Sequence, residues 1–342
     1  MKRVLLITFI IIFVLGMAVC GYAKELRLAG ETRFEKDNFV EGPARYLANI
    51  INLATNGEDT LGLYGAGVLG DAKSIAEQMQ NGILEFGTMT ETSISYFYPN
   101  FQIFSIPYLF RTEDIAYEVL DGPFGDKIKA EVLKNSGLRI IAWGDNGGFR
   151  CFSTSDKQIK SPADLKGLKM RTMEVPAHMA MVKALGANPV PVSWPELYTA
   201  LQTGVVDGQE NAIPTILMGK LEEVQKYIIL DKHLYSLQIF VVSEEWFQKQ
   251  DKELQLTILS AGRVMNVMIR GIARLAELNG INYLNEKGVI VYQPNTEEYK
   301  QFKDLTQGPV LEWLRSQPNI ETAVIDELLE VVKAAEKKFG YE

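Results

Sequence analysis

The stretch "DTLGLYGAGVLGDAKSIAEQMQNGILEFGTMT", Asp59–Thr90, decides the fold class. "DTLGLYGAGVLG" reads as a strand and turn. "DAKSIAEQMQNG" reads as a helix, with Asp71 near its start and Gly82 at its end. "ILEFGTMT" is a second short strand. A strand, a helix and a strand over about thirty residues make the repeating unit of an α/β layer with a mostly parallel sheet.

The same rhythm continues in both directions. Upstream, "KELRLAG" reads as a strand and "NFVEGPARYLANIINLATNG" as a helix closed by Asn56 and Gly57. Downstream come "GLRIIAWGDNGGFRCFST", "SPADLKGLKMRTM", and the helices "VPAHMAMVKALGA" and "SWPELYTALQTGVVDG". In "SPADLKG", Ser161 with Asp164, and Pro162 just inside, forms a good helix start. From Glu244 to about Lys287 there is no proline and apolar residues recur at helical spacing, so one or two long helices are expected.

The N-terminus reads as a secretory signal peptide over residues 1–23. "MKR" is followed by an apolar run and then by "GYA" before Lys24. No later segment reads as long and apolar enough to enter a membrane, so the mature chain is expected to be a soluble protein outside the cytoplasm. Without Lys2 and Arg3 it carries 33 basic against 43 acidic side chains, a balance that disfavours nucleic acid and anionic lipid. An anionic ligand must then be held by locally placed cations. Cys151 is the only mature cysteine, so no internal disulfide is expected. About 319 mature residues exceed what one core usually supports, and no Ser/Gly-rich linker divides them. Two hinged lobes are the expectation: 24–148 plus about 233–275, and 149–232 plus about 276–342.

Gly65, Gly67 and Gly70 match the dinucleotide spacing G-x-G-x-x-G, but any tight strand-to-helix turn also wants glycine, and the structural reading is preferred. His178 and His233 stand far apart with no metal-binding spacing, so no metal and no cofactor are expected. Within "ALQTGVVDGQEN", Leu201, Val205 and Val206 are expected to pack, and Gly204 and Gly208 to turn the chain. Asp207, Gln209 and Glu210 are expected to fix that turn by hydrogen bonds. Arg171 differs: it sits in "GLKMRTM" among Leu168, Met170 and Met173, so an interior strand carries a cation that needs an anion. Strand ends in open α/β sheets face the ligand crevice, so that anion is either a bound carboxylate or one from the protein. Arg150 makes the same argument more weakly. Trp194, between Pro191 and Pro195, either floors a pocket or joins the core.

"LGDAKSIAEQMQNGILEF", "FSIPYLF", "SPADLKGLKMRTM", "LGANPVPVSWPELYTALQTGVVDGQEN" and "VVSEEWF" together resemble the solute-binding proteins of TRAP transporters, along essentially the whole mature chain. The resemblance implies a two-lobed α/β receptor with ligand in the cleft, and with crossover strands and a long helix joining the lobes. It places the carboxylate-clamping arginine on Arg171, an assisting amide on Asn211, a further arginine on Arg150 and an aromatic wall on Trp194. Sialic-acid-type members carry an acid and an arginine where this chain has Thr90 and Ser93, so sialic acid is not the expected ligand. Thr90 and Glu91 are placed to meet hydroxyls, and Tyr235 to cap the far end.

The function so implied is capture of a small organic acid, of sugar-acid or C4-dicarboxylate type, by a monomer. Integral membrane subunits driven by an ion gradient would take delivery. Two rivals remain at this point: the receptor of an ATP-dependent importer, and a secreted enzyme using Glu210, Asp207 or His233 as acid or base.

Overall fold

A computed structural model describes residues 24–36 and 38–341. The expected signal segment, residues 1–23, lies outside the described residues.

Among the described residues nine strands form one sheet: β1 (Lys24–Ala29), β2 (Asp59–Tyr64), β3 (Phe86–Met89), β4 (Leu138–Thr154), β5 (Lys169–Thr172), β6 (Asn188–Pro191), β7 (Gly208–Asn211), β8 (Tyr227–Ser243) and β9 (Ile290–Tyr292). Their order is β2-β1-β3-β8-β4-β7-β5-β6, with β9 paired to β8. Neighbours β1/β2, β1/β3, β5/β6, β5/β7 and β8/β9 are parallel, while β8 is antiparallel to β3 and β4, and β4 to β7. The α/β class and the two-lobed plan expected from sequence are what the chain adopts.

The lobes are joined by β4 and β8, each 17 residues long and paired with one another throughout. At one end their Leu138–Asp145 and Leu237–Ser243 segments join the β2-β1-β3 group. At the other, Phe152–Thr154 and Tyr227–Ile229 join β7-β5-β6 and β9. Between these ends the ladder slips register at Asp145/Gly148 and again at Arg150/Phe152. Gly147 sits at the first slip with φ 82°, and a Cβ there would stand 2.7 Å from Thr215 Oγ1. Only glycine meets both demands.

The helix Lys252–Glu286, 35 residues or about 52 Å long, runs along the molecule. It packs on β4 and the helix Glu41–Ala54, and further on against Ile213–Met218 and β9. Asp251 caps its start by accepting from the Leu254 amide at 2.8 Å. By length and composition this helix is long and apolar enough to cross a membrane, which corrects the expectation that no later segment is so, although the core helix of a globular protein meets the same criterion. One face of it joins the core, with Ile258, Met265 and Ile269 fully buried in the cluster that holds Leu28, Phe86 and Phe240, while Leu256, Val267, Leu275 and Leu278 on other faces are exposed. The last helix, Thr322–Lys338, packs back on Glu113–Asp121 and on the turn Pro99–Ser105.

Two local expectations change. Gly208–Asn211 is a fully buried strand rather than a turn, and Val205 is exposed although Leu201 and Val206 pack. The Ser161/Asp164 capping box forms as read. Gly65–Gly70 makes the turn between β2 and the helix Ala72–Gln80, with Gly67 and Gly70 at positive φ.

Candidate functional site

Where the two ends of the sheet meet, a cavity of about 660 Å3 is lined by residues that directly follow strands. Glu31 and Thr32 follow β1, Thr90 and Thr92 follow β3, Met173 and Glu174 follow β5, Val192 to Trp194 follow β6, and Thr215 lies shortly after β7. Side chains converge there because the parallel strands of each group end at that edge. Asn146, Arg150 and Gln238 of β4 and β8, with Arg171 and Asn211, complete the wall.

Arg171 is 3 % exposed. Its Nε donates to the Val192 carbonyl at 2.8 Å, and among the described residues no carboxylate forms an ion pair with it. Burial, and next the neighbouring Arg150 charge, pull its pKa down to about 10. Glu210, Glu31 and Glu174 attract it only from a distance. A buried guanidinium in this state is short of an anion.

Arg150 is in the opposite condition. Its Nη2 donates to Glu210 Oε1 at 2.8 Å and to the Glu210 carbonyl at 2.6 Å, its Nε donates to Oε2, and its Nη1 donates to Ser236 Oγ at 3.1 Å. Both side chains are essentially inaccessible, at 1 % and 0 %. His233 stands between two acids, with Nδ1 2.7 Å from Asp231 and Nε2 3.3 Å from Glu210, and His178 lies 3.5 Å from Glu210. Burial works against the charge on His233, but Asp231 and then Glu210 lift its pKa to about 9. Burial likewise opposes ionisation of Glu210, yet Arg150 and the two histidines hold it well below the usual carboxylate range.

Asn211 pairs with Cys151 across β4 and β7. Its amide donates to Gln209 Oε1 at 2.6 Å, Gln209 donates to Ser153 Oγ at 2.7 Å, and Ser153 donates to Gln225 at 2.9 Å. This buried relay fixes the amide that faces the cavity. Trp194, half-buried, is both wall and packing: it lines the cavity and rests on the cluster around Leu197 and Ile216.

Five of the residues read from sequence, Arg171, Asn211, Arg150, Trp194 and Thr90, therefore come together around one cavity. Glu91 and Tyr235 do not line it. Glu91 is buried behind Thr90, where Oε1 accepts from the Leu237 amide at 2.5 Å and burial, against the pull of Arg150, raises its pKa. Tyr235 packs edge-on among Phe110, Tyr117 and Phe149 and donates to Asp145. Asp145, also bonded by Tyr117, is pushed by burial to about 6. Both readings are corrected to structural roles, because burial by distant segments decided them. The acid-base candidates Glu210 and His233 are spent on each other and on Arg150, and Asp207 accepts from the Lys169 amide at 2.7 Å. None of the three lines the cavity. Sequence reasoning missed Glu31, Thr88, Glu174 and Thr215; Glu31 and Glu174, just past β1 and β5, are legible from the strand-end rule, whereas Thr88 within β3 and Thr215 on the helix Ile213–Met218 carry no such signal.

Comparison with known proteins fits this geometry. The family model described as bacterial extracellular solute-binding protein, family 7 (DctP) matches residues 31–316. The chain is 35% identical over 244 residues to a solute-binding protein of Verminephrobacter eiseniae, covering 71% of this chain and 72% of the relative. It is 31% identical over 284 residues to the 2,3-diketo-L-gulonate-binding periplasmic protein YiaO of Escherichia coli, covering 82% and 85%. Among solved structures, the sugar acid binding protein DctPAm of Advenella mimigardefordensis, in complex with galactonate, superposes with a TM-score of 0.85 at 29% identity, covering 91% of this chain and 98% of that one. The chain belongs to the DctP family of bacterial extracellular solute-binding proteins, the receptors of TRAP transporters.

Proposed function

We propose that this receptor captures a hydroxylated organic acid of the sugar-acid type in the periplasm, as a monomer released from its signal peptide, and delivers it to integral membrane subunits for uptake driven by an ion gradient. One observation carries the reading: Arg171 is buried at the cavity without an acid of its own. A ligand carboxylate supplies the missing charge and can accept two parallel hydrogen bonds from a guanidinium. Asn211, held by its relay, offers an amide beside that pair. Hydroxyls and amides from Thr88, Thr90, Thr215, Asn146 and Gln238 suit a ligand rich in hydroxyl groups better than a bare dicarboxylate. The ligands in the names of the relatives, a diketogulonate and a galactonate, are of that class.

The lobes divide near Gly148 on β4 and His233 on β8, with the first comprising 24–148 and about 233–275, and the second 149–232 and about 276–342. The final helix reaches back to brace the first lobe. Ligand contacts drawn from both lobes favour the closed state over the open one, and the closed form is what the membrane subunits recognise.

A thermal-shift screen of aldonates, uronates, dicarboxylates, keto acids and amino acids tests the assignment. Sugar acids are expected to give the largest rise, following RT ln(1 + [L]/Kd), with no product formed on long incubation. Turnover of a bound acid, or stabilisation by none of these classes, would overturn it.

A further inference from the structure

A second and larger space, about 1180 Å3, opens directly beyond the ligand cavity and shares Glu31, Trp194 and Met218 with it. The partition is the Trp194 indole. It lines both spaces, and its edge lies on Gly219, where an added Cβ would stand 2.8 Å from the ring. Four residues on, and so on the same face of the helix Trp194–Gln202, Tyr198 lines the outer space, with its hydroxyl donating to Glu223 at 2.8 Å. Charges there balance: Arg33 and Lys220 face Glu31 and Glu223.

We infer that this outer chamber is a second subsite, which takes a neutral hexose linked to the acid held by Arg171. The ligand class extends in this way from aldonic acids to aldobionic acids. Two aromatic faces a helical turn apart offer surfaces to the apolar side of a pyranose, and side chains of both signs meet its hydroxyls. A second anionic group gains nothing from a chamber whose charges cancel, and an alkyl chain would strand those charges. The inference rests on the proposed carboxylate capture at Arg171.

Titration calorimetry of the mature protein tests it, with gluconate and galactonate compared against cellobionate and lactobionate. The glycosylated acids are expected to bind at least as tightly as their parents. Tyr198→Ala should weaken only the glycosylated acids, by roughly two- to tenfold, while Tyr198→Phe, which keeps the ring, should restore them. Aldobionates binding a hundredfold more weakly than aldonates, or Tyr198→Ala weakening both classes alike, would overturn the chamber and leave the receptor assignment standing. Binding of neither class to the wild type would overturn both. Preference for an acyl-extended acid over a glycosylated one would also overturn the chamber.

Discussion

Arg150 and Arg171 are both buried and both face one cavity, but their surroundings differ. Arg150 is gripped by a carboxylate that two histidines also touch, so its charge is cancelled inside the protein. Arg171 has a single carbonyl from its own chain and three acids that act only at a distance. The first arginine is part of the structure. The second is kept short of a partner, and the structure around it is arranged so that something else must bring one. Desolvation acts on both alike, so only the placement of Glu210 separates them.

Removing Glu210 should erase that contrast. Glu210→Gln leaves Arg150 buried without its anion, and we expect a loss of about 3 to 5 kcal/mol in unfolding free energy by denaturant titration. Arg171→Ala should do the converse. Ligand affinity falls by about 2 to 5 kcal/mol, while the ligand-free protein unfolds no earlier than the wild type, because an uncompensated cation has been taken out of its interior. Calorimetry and thermal unfolding on the same preparation would show the two effects separately, and early unfolding of ligand-free Arg171→Ala would break the comparison.

Protonation offers a milder probe. His233 is raised from 6.5 to about 9, so its charged form stabilises fully below about pH 6.5 and that contribution is lost as pH rises through 9. Glu210, depressed, contributes above its ordinary carboxylate range and loses that contribution as the medium becomes acid. The stability gap between wild type and His233→Gln should therefore be widest near pH 6, at most about 3 kcal/mol, and narrow towards pH 9. A gap that widens with pH would mean that the histidine is buried neutral. Smallest of all, Asn211→Ala should cost about 1 kcal/mol of ligand affinity, since the amide adds one hydrogen bond beside the charge pair.

Much of this was legible in the chain, for identifiable reasons. The alternation of β- and α-periodic segments is local information, and it foretold the α/β class. Arg171 was legible because a cation within a run of apolar residues is an anomaly at any distance from its partners. Asn211 and Trp194 were placed by resemblance. What could not be read depended on burial by remote segments. Glu91 and Tyr235 carry polar groups that look available until the β8 backbone and the Tyr117–Asp145 pair take them. Glu210 looked like part of a turn because "DGQEN" is polar. It is a strand because its neighbours β4 and β5 supply the hydrogen bonds and Arg150 the charge.

The order β3-β8-β4 has a kinetic consequence. When β4 has left the ribosome, the strand that must lie between it and β3 is still some seventy residues away. Up to that point the β2-β1-β3 group can pair, but nothing yet joins it to β4, and neither lobe can be isolated by trimming one end. Folding must wait for late, distant pairing, which slows it and makes it all-or-none. During that interval β3 and β4 present unpaired edges, which are templates for pairing with neighbouring chains until β8 fills the gap.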